Sequence, residues 1–398
     1  MKALGACGVD LVAVDRVRKL VESSTPENLL HLFSETELAG ALNAPSRYIH
    51  LASRFAAKEA CLKLFPRETA LGKITFADFS LNKDSFGAPI VMCTANAQAV
   101  LDLHQVEHIL ISLSHTKTHA IAVAFKEKKT IKAAILGHII YHFLPFRRAL
   151  ILENLRRVYG QNLDDDQITL LAKAHYKHCI GMVLDFCRHQ LLPIRHREKR
   201  VSVEKTEPVI EALSKQKGAI ILTGHFGDFG TAITTVNAFL PETRKRIYVI
   251  KRQLWPAWLE VLINNHSHRE ELGILPKRGR MESILNALDQ GHIVVFPFDQ
   301  HTSGHQSIMV EFFGYPVGTD RSLALIALTS RVPVIPASIR REANGQHVVR
   351  FGNPLELIKH PVRDEEIRLN TRLFNQALER MILRQPEQWW WMQRRFRS

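Results

Sequence analysis

The sequence predicts two domains, an α+β unit followed by an α/β unit, and three observations lead to that prediction. The chain has 398 residues, which suits two or more domains of about 150 residues each. Strands and helices are mixed in the first third, whereas strands alternate regularly with helices further on. The charged stretch KEKKTIK, residues 126–132, separates the two patterns. We therefore expect a first domain at 1–126, a linker or interfacial segment at 127–149 and a second domain at 150–398.

Hydrophobic spacing predicts the elements of the first part. An apolar strand runs into a helix, two segments with helical spacing follow, and two strand pairs complete the unit. The second strand pair encloses a turn rich in Ser, His and Thr. In chain order the stretches are CGVDLVAVDRVRKLV, PENLLHLFSETELAGAL, SRYIHLASRFAAKEACLKLF, ITFADFSLNKDSFGAPIVMCTA and VEHILISLSHTKTHAIAVAF. This succession is typical of a compact α+β domain.

The second part opens with two long helical patterns, ALILENLRRVYG and DDDQITLLAKAHYKHCIGMVLDFCRHQLL, which form a helical N-terminal extension. Apolar strands separated by helices follow, and a final helix closes the pattern. The strands are GAIILTG, RIYVIKR, HIVVFPFDQ and VPVIPASI, and the helices are MESILNALDQ, RSLALIALTSR and RLNTRLFNQALERMILRQPEQW. Buried strands that alternate with helices predict an α/β sheet with parallel strands.

The net charge of +14 is unevenly distributed along the chain. Residues 1–130 contain 15 Lys or Arg and 13 Asp or Glu, whereas residues 131–398 contain 38 and 26. A basic second part suits an anionic partner, such as an acidic membrane surface or an acidic carrier protein. Because no stretch has the spacing of a nucleic-acid-binding motif, we expect no nucleic acid partner.

Cysteine spacing and hydropathy indicate in which cellular compartment the protein is expected. The five cysteines lack CxxC spacing, which favours reduced thiols in the cytoplasm over disulfides or a zinc site. Asp10 and Asp15 come too early for a signal peptide. The most apolar stretch, AAILGHIIYHFLPF at 133–146, is shorter than the roughly 18 residues of a membrane span. It is interpreted as a buried helix or an interfacial segment.

Three stretches of the first domain carry groups that suit a phosphate-bearing ligand. Two carboxylates together with water and phosphate oxygens are an ordinary Mg²⁺ environment, and nearby cationic side chains suit a diphosphate. Singly, Glu59 and Lys63 also fit an i,i+4 surface pair, and Asp10 fits a strand-end cap. The candidate groups are Asp10 in GVDLV, Lys58, Glu59 and Lys63 in RFAAKEACLKLF, and Ser112, Ser114 and His115 in a turn of ISLSHTKTHA.

The order of these motifs over residues 5–126 resembles holo-acyl-carrier-protein synthase, a small 4′-phosphopantetheinyl transferase. The matching motifs are GVDLV, FSETEL, RFAAKEA followed by Lys63, and SLSHTKTHAIAVAF. The resemblance implies a 4′-phosphopantetheinyl transferase fold and Mg²⁺ held by Asp10 and Glu59, with Lys63 as a further catalytic group. It also implies a set of residues around the phosphates of coenzyme A: Arg54, Lys58, Lys63, Ser114 and His115.

The same resemblance implies a reaction and an assembly. A serine of an acyl carrier protein attacks the β-phosphate of coenzyme A, phosphopantetheine is transferred and 3′,5′-ADP leaves. Family members are usually trimers with sites between subunits, so a homotrimer through the first domain is expected. One departure is Ala88 in FGAP, where a basic residue is common; it bears on carrier binding rather than on chemistry.

A second candidate site lies where two predicted strands end. His225 follows the strand in GAIILTGHFGDFG, and Asp299 follows the strand in HIVVFPFDQ. Ligands of open α/β sheets bind at the carboxyl ends of strands, and a histidine there can take a proton from an acceptor hydroxyl. A hydrogen-bonded structural histidine is the alternative.

Residues 144–398 resemble the lauroyl/myristoyl acyltransferases of lipid A biosynthesis, within the lysophospholipid acyltransferase superfamily. The stretches that match are RRALILENLRRVYG, GHFGDFG, LPKRGRMESILNALDQGHIVVFPFDQ, EFFGYPVGTDRSLALIALTSRVPVIP and PEQWWWMQRRFR. The resemblance implies an α/β acyltransferase fold. It also implies transfer of a fatty acyl chain from acyl carrier protein or coenzyme A to a lipid acceptor at the inner leaflet.

This chain departs from the family motif of His followed at the fifth position by Glu or Asp. Gly230 occupies that position, and Asp228 is the acid of the turn. Either Asp228 orients His225 from a shifted position, or the dyad is degraded. Lys251 also stands where these acyltransferases usually have Arg.

The sequence therefore predicts a bifunctional transferase whose two domains share an acyl carrier protein as partner. The alternative keeps the first activity and makes the second domain a non-catalytic lipid- or carrier-binding module. The stretch EQWWWMQRRFRS favours either a membrane interface or a docked segment with a basic tail. We expect a cytoplasmic protein, peripheral on the inner face of the inner membrane.

Overall fold

The computed structural model folds into two compact units, Met1–Ile131 and Lys132–Ser398. It describes residues 4–70, 72–85, 87–129, 131, 135–143, 146–191, 201–215, 218–227, 247–249, 272–274, 280–342 and 344–397. The two-domain architecture expected from the sequence is confirmed.

The first unit is α+β, with a three-stranded antiparallel sheet in the order β1-β5-β4 and a separate β2-β3 hairpin. Its elements are β1 (Leu4–Ala13), α1 (Val14–Ser23), α2 (Pro26–Leu30), α3 (Glu35–Leu42), α4 (Arg47–Leu62), α5 (Arg67–Ala70), β2 (Phe79–Lys83), β3 (Pro89–Cys93), α6 (Ala95–Leu103), β4 (Val106–His115) and β5 (His119–Lys128).

Helix α4 packs against this sheet through small side chains. Ala52, Ala56 and Ala60 on α4 are fully buried, as are Ala120 and Ala122 on β5. Small residues on both surfaces allow a close approach of helix and sheet, and close packing is what stabilises such a core. The opposite face of the sheet is treated below, because it carries large exposed apolar side chains.

Strand β4 is longer than the sequence predicts. Ser112, Ser114 and His115 were expected in a turn, but β4 continues through His115, which pairs with Ala120 of β5. The turn is confined to residues 116–118, where the Thr116 hydroxyl accepts hydrogen bonds from the backbone N–H groups of Thr118 and His119. A threonine that caps its own turn explains why the strand runs to the turn's first residue.

The second unit is α/β, with a seven-stranded sheet in the order β6-β14-β13-β7-β10-β8-β9 and a β11-β12 hairpin. Its elements are α7 (Ile135–Phe143), α8 (Arg148–Tyr159), α9 (Asp165–Leu191), β6 (Val201–Glu204), α10 (Glu207–Ser214), β7 (Ala219–Thr223), β8 (Ile247–Val249), β9 (Leu272–Ile274), α11 (Arg280–Asp289), β10 (Ile293–Pro297), β11 (Ser307–Phe312), β12 (Tyr315–Asp320), α12 (Ser322–Ser330), β13 (Val334–Arg341), β14 (His347–Phe351) and α13 (Arg363–Arg384).

Strands β7 and β10 occupy the middle of the large sheet. They are parallel neighbours, and each reads as an apolar run, AIILT in β7 and IVVFP in β10. Continuous apolar strands are typical of parallel sheets, which are covered on both faces. The pairing of β13 with β14 is antiparallel, whereas β7, β8 and β9 belong to parallel pairs.

Two stretches with membrane interpretations take different positions. Within the described ranges, no single helix has the length and hydropathy to span a bilayer, although α7 and α8, bent by 118°, pass such a test as a pair. Trp389 and Trp391 of EQWWWMQRRFRS are fully buried, and so is Arg395. These three side chains are therefore docked in the core, as the second of the two alternatives for this stretch expects.

Candidate active sites

The first site is built where strand β1 crosses helix α4. Gly8 lies against the helix so closely that a Cβ at this position would be 2.1 Å from the backbone oxygen of Ala60 and 3.3 Å from the Cβ of Lys63. Only glycine permits this approach. Because Asp10 is two residues further along the same face of β1, the glycine brings its carboxylate beside the end of α4.

Asp10 and Lys63 form the centre of this site. Lys63 Nζ lies 2.8 Å from Asp10 Oδ1 and donates to the backbone oxygen of Val9 at 3.1 Å. The Asp10 side chain is 14% exposed and that of Lys63 is 45% exposed. The pair is thus open to solvent on the lysine side, and a ligand can reach both groups.

Glu59 lies one turn before Lys63 on α4 and is partly exposed. The i,i+4 pair with Glu59, which was the alternative interpretation of Lys63, is replaced by the pair of Lys63 with Asp10. Among the residues described, no three His, Cys, Asp or Glu side chains form a metal cage. Mg²⁺ commonly takes one or two carboxylates and fills its octahedron with water and substrate oxygens. Asp10 and Glu59 are hard oxygen donors of this kind, so the donor chemistry fits the metal.

The structure does not place Lys58 where the resemblance expected it. The Lys58 ammonium is fully buried, lies 2.7 Å from Glu37 Oε2 and donates to the backbone oxygen of Leu32 at 2.7 Å. Glu37 also accepts from the backbone N–H groups of Ser34 and Leu81. Burial lowers the pKa of Lys58 and the charge of Glu37 opposes that shift. Lys58 therefore anchors α3 to α4 rather than facing a phosphate.

Arg54 lies one turn before Lys58 on the same side of α4 and is half-buried. Burial lowers the pKa of its guanidinium, and the charge of Glu37 opposes the shift. Helix α4 thus has two polar stripes. Lys58 points into the domain with the half-buried Arg54 one turn before it, whereas Glu59 and Lys63 are on the stripe next to Asp10.

The register of the sheet separates the two candidate residues at the end of β4. Leu113 and Asp10 both lie opposite Ala122 of β5, so the odd-numbered residues of β4 share the α4 face with Asp10. His115 is on that face. Ser114 lies opposite Ile121, on the other face of the sheet, so one subunit does not bring Ser114 to Asp10.

The second site forms at the carboxyl ends of β7 and β10. Thr223 and Pro297 lie opposite each other as the last residues of their strands. His225 and Asp299 each follow two residues later and meet beyond the sheet edge. The distance from His225 Nδ1 to Asp299 Oδ1 is 2.7 Å, and the His225 backbone N–H donates to Asp299 Oδ2 at 2.8 Å.

A glycine makes this contact possible as well. A Cβ at Gly224 would lie 2.9 Å from the Phe226 ring and 3.1 Å from Asp299 Oδ2. The turn after β7 is also attached to the segment around residues 388–390. Gly227 donates to the backbone oxygen of Gln388, and Trp390 donates to that of His225.

Asp299 is fully buried and is surrounded by hydrogen-bond donors. Trp389 Nε1 donates to Asp299 Oδ2 at 2.8 Å, and Gln393 Nε2 donates to the same oxygen at 3.2 Å. A buried carboxylate is tolerated when such donors replace its water. The donors hold one oxygen and leave the other directed at the histidine ring.

Electrostatics couple the two members of the dyad. Burial raises the pKa of Asp299, but the charge and hydrogen bonds of His225 and the bond from Trp389 lower it to about 2. Burial lowers the pKa of His225, but the charge and hydrogen bond of Asp299 outweigh it and the net pKa is raised. With Nδ1–H donated to Asp299, the neutral imidazole carries its lone pair on Nε2, which is the tautomer of a general base.

A buried arginine reinforces the segment that carries Trp389 and Gln393. Arg395 is fully buried and donates to the backbone oxygens of Gly318 and Gln300, to the Thr319 hydroxyl and to Asn375 Oδ1. Burial lowers its pKa to about 10, against the charges of Asp299 and Glu379. The cation thus compensates part of the buried charge of the dyad carboxylate.

Two family models divide the chain. The model described as bacterial lipid A biosynthesis acyltransferase matches residues 122–398, and that of the 4′-phosphopantetheinyl transferase superfamily matches residues 6–124. The chain belongs to both families.

Curated relatives and solved structures resemble the phosphopantetheinyl transferase domain. The holo-[acyl-carrier-protein] synthase of Vibrio parahaemolyticus is 31% identical over 31% of this chain and 98% of its own length. That of Syntrophus aciditrophicus is 32% identical over 30% and 93%. The crystal structure of the Helicobacter pylori synthase in complex with coenzyme A is 24% identical, covers 31% of this chain and 100% of its own, and has a TM-score of 0.26.

In the acyltransferase domain, Asp299 contacts His225 from a different strand than the family motif indicates. Asp228, Gly230 and Lys251 lie outside the described residues, so the two alternatives for Asp228 stay predictions. Sequence reasoning named His225 and Asp299 separately, and it missed Trp389 and Gln393 as partners of Asp299. The signal that marks them is PEQWWWMQRRFR, which matched the acyltransferases.

Proposed function

We propose that the chain is a bifunctional transferase. The first domain transfers 4′-phosphopantetheine from coenzyme A to a serine of an acyl carrier protein. The second transfers a fatty acyl chain from acyl carrier protein or acyl-coenzyme A to a lipid acceptor at the membrane. The proposal of acyl transfer by the second domain rests on the His225–Asp299 dyad. The first half is supported by the open Asp10–Lys63 pair beside Glu59, within a domain matched over nearly the full length of holo-acyl-carrier-protein synthases.

In the first reaction, the carrier serine oxygen forms a bond to the β-phosphorus of coenzyme A. The bond from that phosphorus to the bridging oxygen breaks, 3′,5′-ADP leaves with the electron pair, and the serine hydroxyl proton passes to solvent. Lys63 offers an exposed ammonium that neutralises charge on the diphosphate. His115 shares the α4 face of the sheet and adds a second polar group there. The synthase of Helicobacter pylori was solved with coenzyme A bound, which supports this choice of donor.

Asp10 and Glu59 would hold a Mg²⁺ ion in this site. When bound, such an ion supplies Lewis-acid stabilisation of phosphoryl oxygens. The protein's own part is to fix the two carboxylates, and Gly8 does so by allowing β1 to touch α4.

In the second reaction, Nε2 of His225 takes the proton of the acceptor hydroxyl while the hydroxyl oxygen bonds to the carbonyl carbon of the thioester. Asp299 stabilises the imidazolium that forms. The carbon–sulfur bond then breaks, and the thiol leaves with the proton returned by His225. The raised pKa of His225 suits this exchange, since a general base works best with a pKa near the working pH.

The outer face of the first sheet supports a homotrimer or another self-assembly through this domain. Val9, Leu11, Leu110 and Ile121 form an apolar patch on this face, and Leu11 is 61% exposed. Ser114 lies on the same face. A second copy packed there would cover the patch.

Peripheral attachment to the inner face of the membrane is supported by helix α7. Ile135, Ile139 and Phe143 of this helix are exposed, with Phe143 at 79%. The exposed Phe146 and the cations Arg147 and Arg148 come shortly after the helix. An apolar helix face next to cations is the pattern of an interfacial helix.

The test is mass spectrometry of an apo-acyl carrier protein incubated with the full chain, coenzyme A and Mg²⁺, and then with an acyl donor and membrane lipids. We expect a gain of phosphopantetheine that Glu59→Ala abolishes. We expect a later transfer of the acyl group to lipid that His225→Ala abolishes. An acyl-carrier that persists with every lipid, with His225→Ala no different, would instead favour the non-catalytic binding module.

A further inference from the structure

Helix α8 has a polar side chain within its buried apolar face. Ile151, Leu155 and Val158 are buried on this face, and Asn154 lies among them at 2% exposed. Removing an amide from water costs free energy unless hydrogen bonds replace its hydration. The partners of Asn154 therefore indicate what this side chain does.

Asn154 holds the backbone of the segment 391–393. Its Nδ2 donates to the backbone oxygen of Trp391 at 2.9 Å and to that of Gln393 at 3.0 Å, which uses both N–H donors of the amide. Arg147, which precedes the helix, donates to the intervening backbone oxygen of Met392 at 2.6 Å. Side chains of α8 and its N-cap thus fix three successive carbonyls.

The same segment supplies hydrogen bonds to Asp299 Oδ2. The Gln393 side chain donates to this oxygen at 3.2 Å, and Trp389 Nε1 donates at 2.8 Å. The Trp391 ring packs edge-on against that of Trp389, with ring centroids 4.7 Å apart, and this contact restrains the Trp389 ring. Asn154 therefore acts on both donors, on one through the backbone of Gln393 and on the other through Trp391.

We propose that Asn154 is a positioning residue for the His225–Asp299 dyad. By fixing the backbone at Trp391 and Gln393, it keeps two donors on Asp299 Oδ2, so that Oδ1 stays directed at the imidazole. Its effect on the rate of acyl transfer rests on the proposed function, whereas its effect on the protonation of His225 in the free protein does not.

Loss of this hold should change the charge that His225 experiences. Hydrogen-bond donors neutralise part of the charge of a carboxylate. If Trp389 and Gln393 withdraw from Asp299, more of its charge acts on the imidazole and favours the imidazolium. Burial lowers the pKa of His225 and Asp299 outweighs that effect, so this pKa should rise further. Arg395, whose charge also interacts with Asp299, is the same in every variant.

The test is a pH titration of His225 in the full chain, followed by NMR of protein with isotope-labelled histidines. The signal of His225 is the one missing from His225→Ala. Asn154→Leu keeps a similar side-chain volume and removes both donors, so it should move the His225 titration to higher pH. If the leucine variant does not fold, Asn154→Ser, which retains one hydroxyl donor, should give a smaller shift in the same direction.

Asn370 of α13 provides a matched control. It is fully buried, and its Nδ2 also donates to two backbone oxygens, those of Ile358 and Glu366, at 2.8 Å each. Asn370→Leu should lower stability as Asn154→Leu does, but it should leave the titration of His225 at the wild-type pH. An equal shift in both variants, no shift, or a shift to lower pH would overturn the positioning role.

A double variant tests the route from Asn154 through Gln393. Gln393→Met alone should move the His225 titration upward, and Asn154→Leu/Gln393→Met should move it no further than Asn154→Leu does, because that variant has already released the Gln393 donor. Additive shifts would contradict this route.

Acyl transfer rates separate the positioning role from the proposed function. The kcat of Asn154→Leu near neutral pH should fall about tenfold with an unchanged KM for the lipid acceptor, and Asn370→Leu should keep both values. A raised KM with an unchanged kcat would overturn the positioning role. If the wild type transfers no acyl group but the titration shifts as expected, the proposed function alone is wrong.

Discussion

The two candidate sites differ in how much of each is complete within one chain. Asp299 is fully buried and receives hydrogen bonds from His225, Trp389 and Gln393. The Asp10 carboxylate is paired with one lysine, whose side chain is 45% exposed. The opposite face of the same sheet carries the exposed apolar patch. Protein hydrogen bonds alone fix the geometry of the acyltransferase dyad. The charged groups of the phosphopantetheinyl transferase site, by contrast, still need a bound ligand to complete the site.

This difference follows from the chemistry of each proposed reaction. A general base needs one tautomer and one orientation, which protein hydrogen bonds can supply alone. A diphosphate with its metal brings most of the charge itself, so the protein keeps two carboxylates and a cation within reach. Substitutions should therefore act through geometry in the second domain and through ligand binding in the first.

The largest effect is expected at Asp299. Asp299→Asn removes the charge that fixes the His225 tautomer, so acyl transfer should fall by about 10³–10⁴-fold. The double variant with His225→Ala should be little slower than either single variant, because the two groups act as a unit. Initial rates of acyl transfer to lipid measure this. Asp289→Asn, at the exposed end of α11, is the matched control, and a normal rate for Asp299→Asn would remove the dyad from the mechanism.

The pH dependence of the acyl transfer rate tests the same dyad. His225 acts as a base only when neutral, and Asp299 raises its pKa above the ordinary value. Acyl transfer should therefore rise with pH as the profile passes through that raised pKa. In Asp299→Asn the residual activity should begin to rise at lower pH. If the acidic limb of the rate profile lay at the same pH in Asp299→Asn as in the wild type, a group other than His225 would be responsible for it.

The next effect concerns stability of the first domain. Lys58→Met leaves the Glu37 carboxylate buried without its ion-pair partner, which should lower the free energy of unfolding by about 3–5 kcal/mol. Urea titration followed by circular dichroism measures it. Lys63→Met, at an exposed side chain, is the comparison and should change stability little while lowering transferase activity. If Lys58→Met instead left stability intact and raised the KM for coenzyme A, a phosphate role for Lys58 would return.

A smaller effect is expected at Glu59. Glu59→Gln keeps size and hydrogen-bonding capacity but removes a negative charge, so phosphopantetheinyl transfer should fall roughly a hundredfold. The Mg²⁺ concentration for half-maximal rate should rise, and acyl transfer should not change. Glu35→Gln, in the first turn of α3, is the control. An unaltered Mg²⁺ dependence would argue against Glu59 as a metal ligand.

The smallest effect is expected at Gln393. Gln393→Met removes a donor to Asp299 and leaves more of the carboxylate charge to stabilise the imidazolium. The acidic limb should move to higher pH, and the rate near neutral pH should drop by about tenfold or less. The KM for the lipid acceptor should stay constant. A change in KM without a shift of the limb would assign Gln393 to acceptor binding.

The sequence predicts the structure best where the local pattern of apolar and polar residues determines it. It predicted strands that end just before His225 and Asp299, because apolar runs followed by polar turns mark buried parallel strands. It did not predict their direct contact, since the pairing of β7 with β10 joins residues 74 positions apart. Asp299 was named as a candidate of the same site, whereas Asp228, in the same turn as His225, was the acid expected to orient the histidine.

The sequence misled where a charged residue is buried. Lys58 was expected near coenzyme A because the resemblance to holo-acyl-carrier-protein synthase implies a cation there. Its partner Glu37 lies in FSETEL, where a capping box with Ser34 accounts for the residue locally. Nothing within either motif specifies that the two meet 2.7 Å apart. Tertiary packing decides that, and the same holds for Trp389 and Gln393.

The wide separation of the groups around Asp299 has a consequence for folding. Its hydrogen-bond partners lie 74, 90 and 94 positions away in the chain. Contacts of such high contact order form only after long loops have closed, and they come late in folding. A partly folded chain thus has a histidine without its carboxylate and no competent base. On the proposed function, a thioester would meet a reactive imidazole only once these contacts within the second domain have formed.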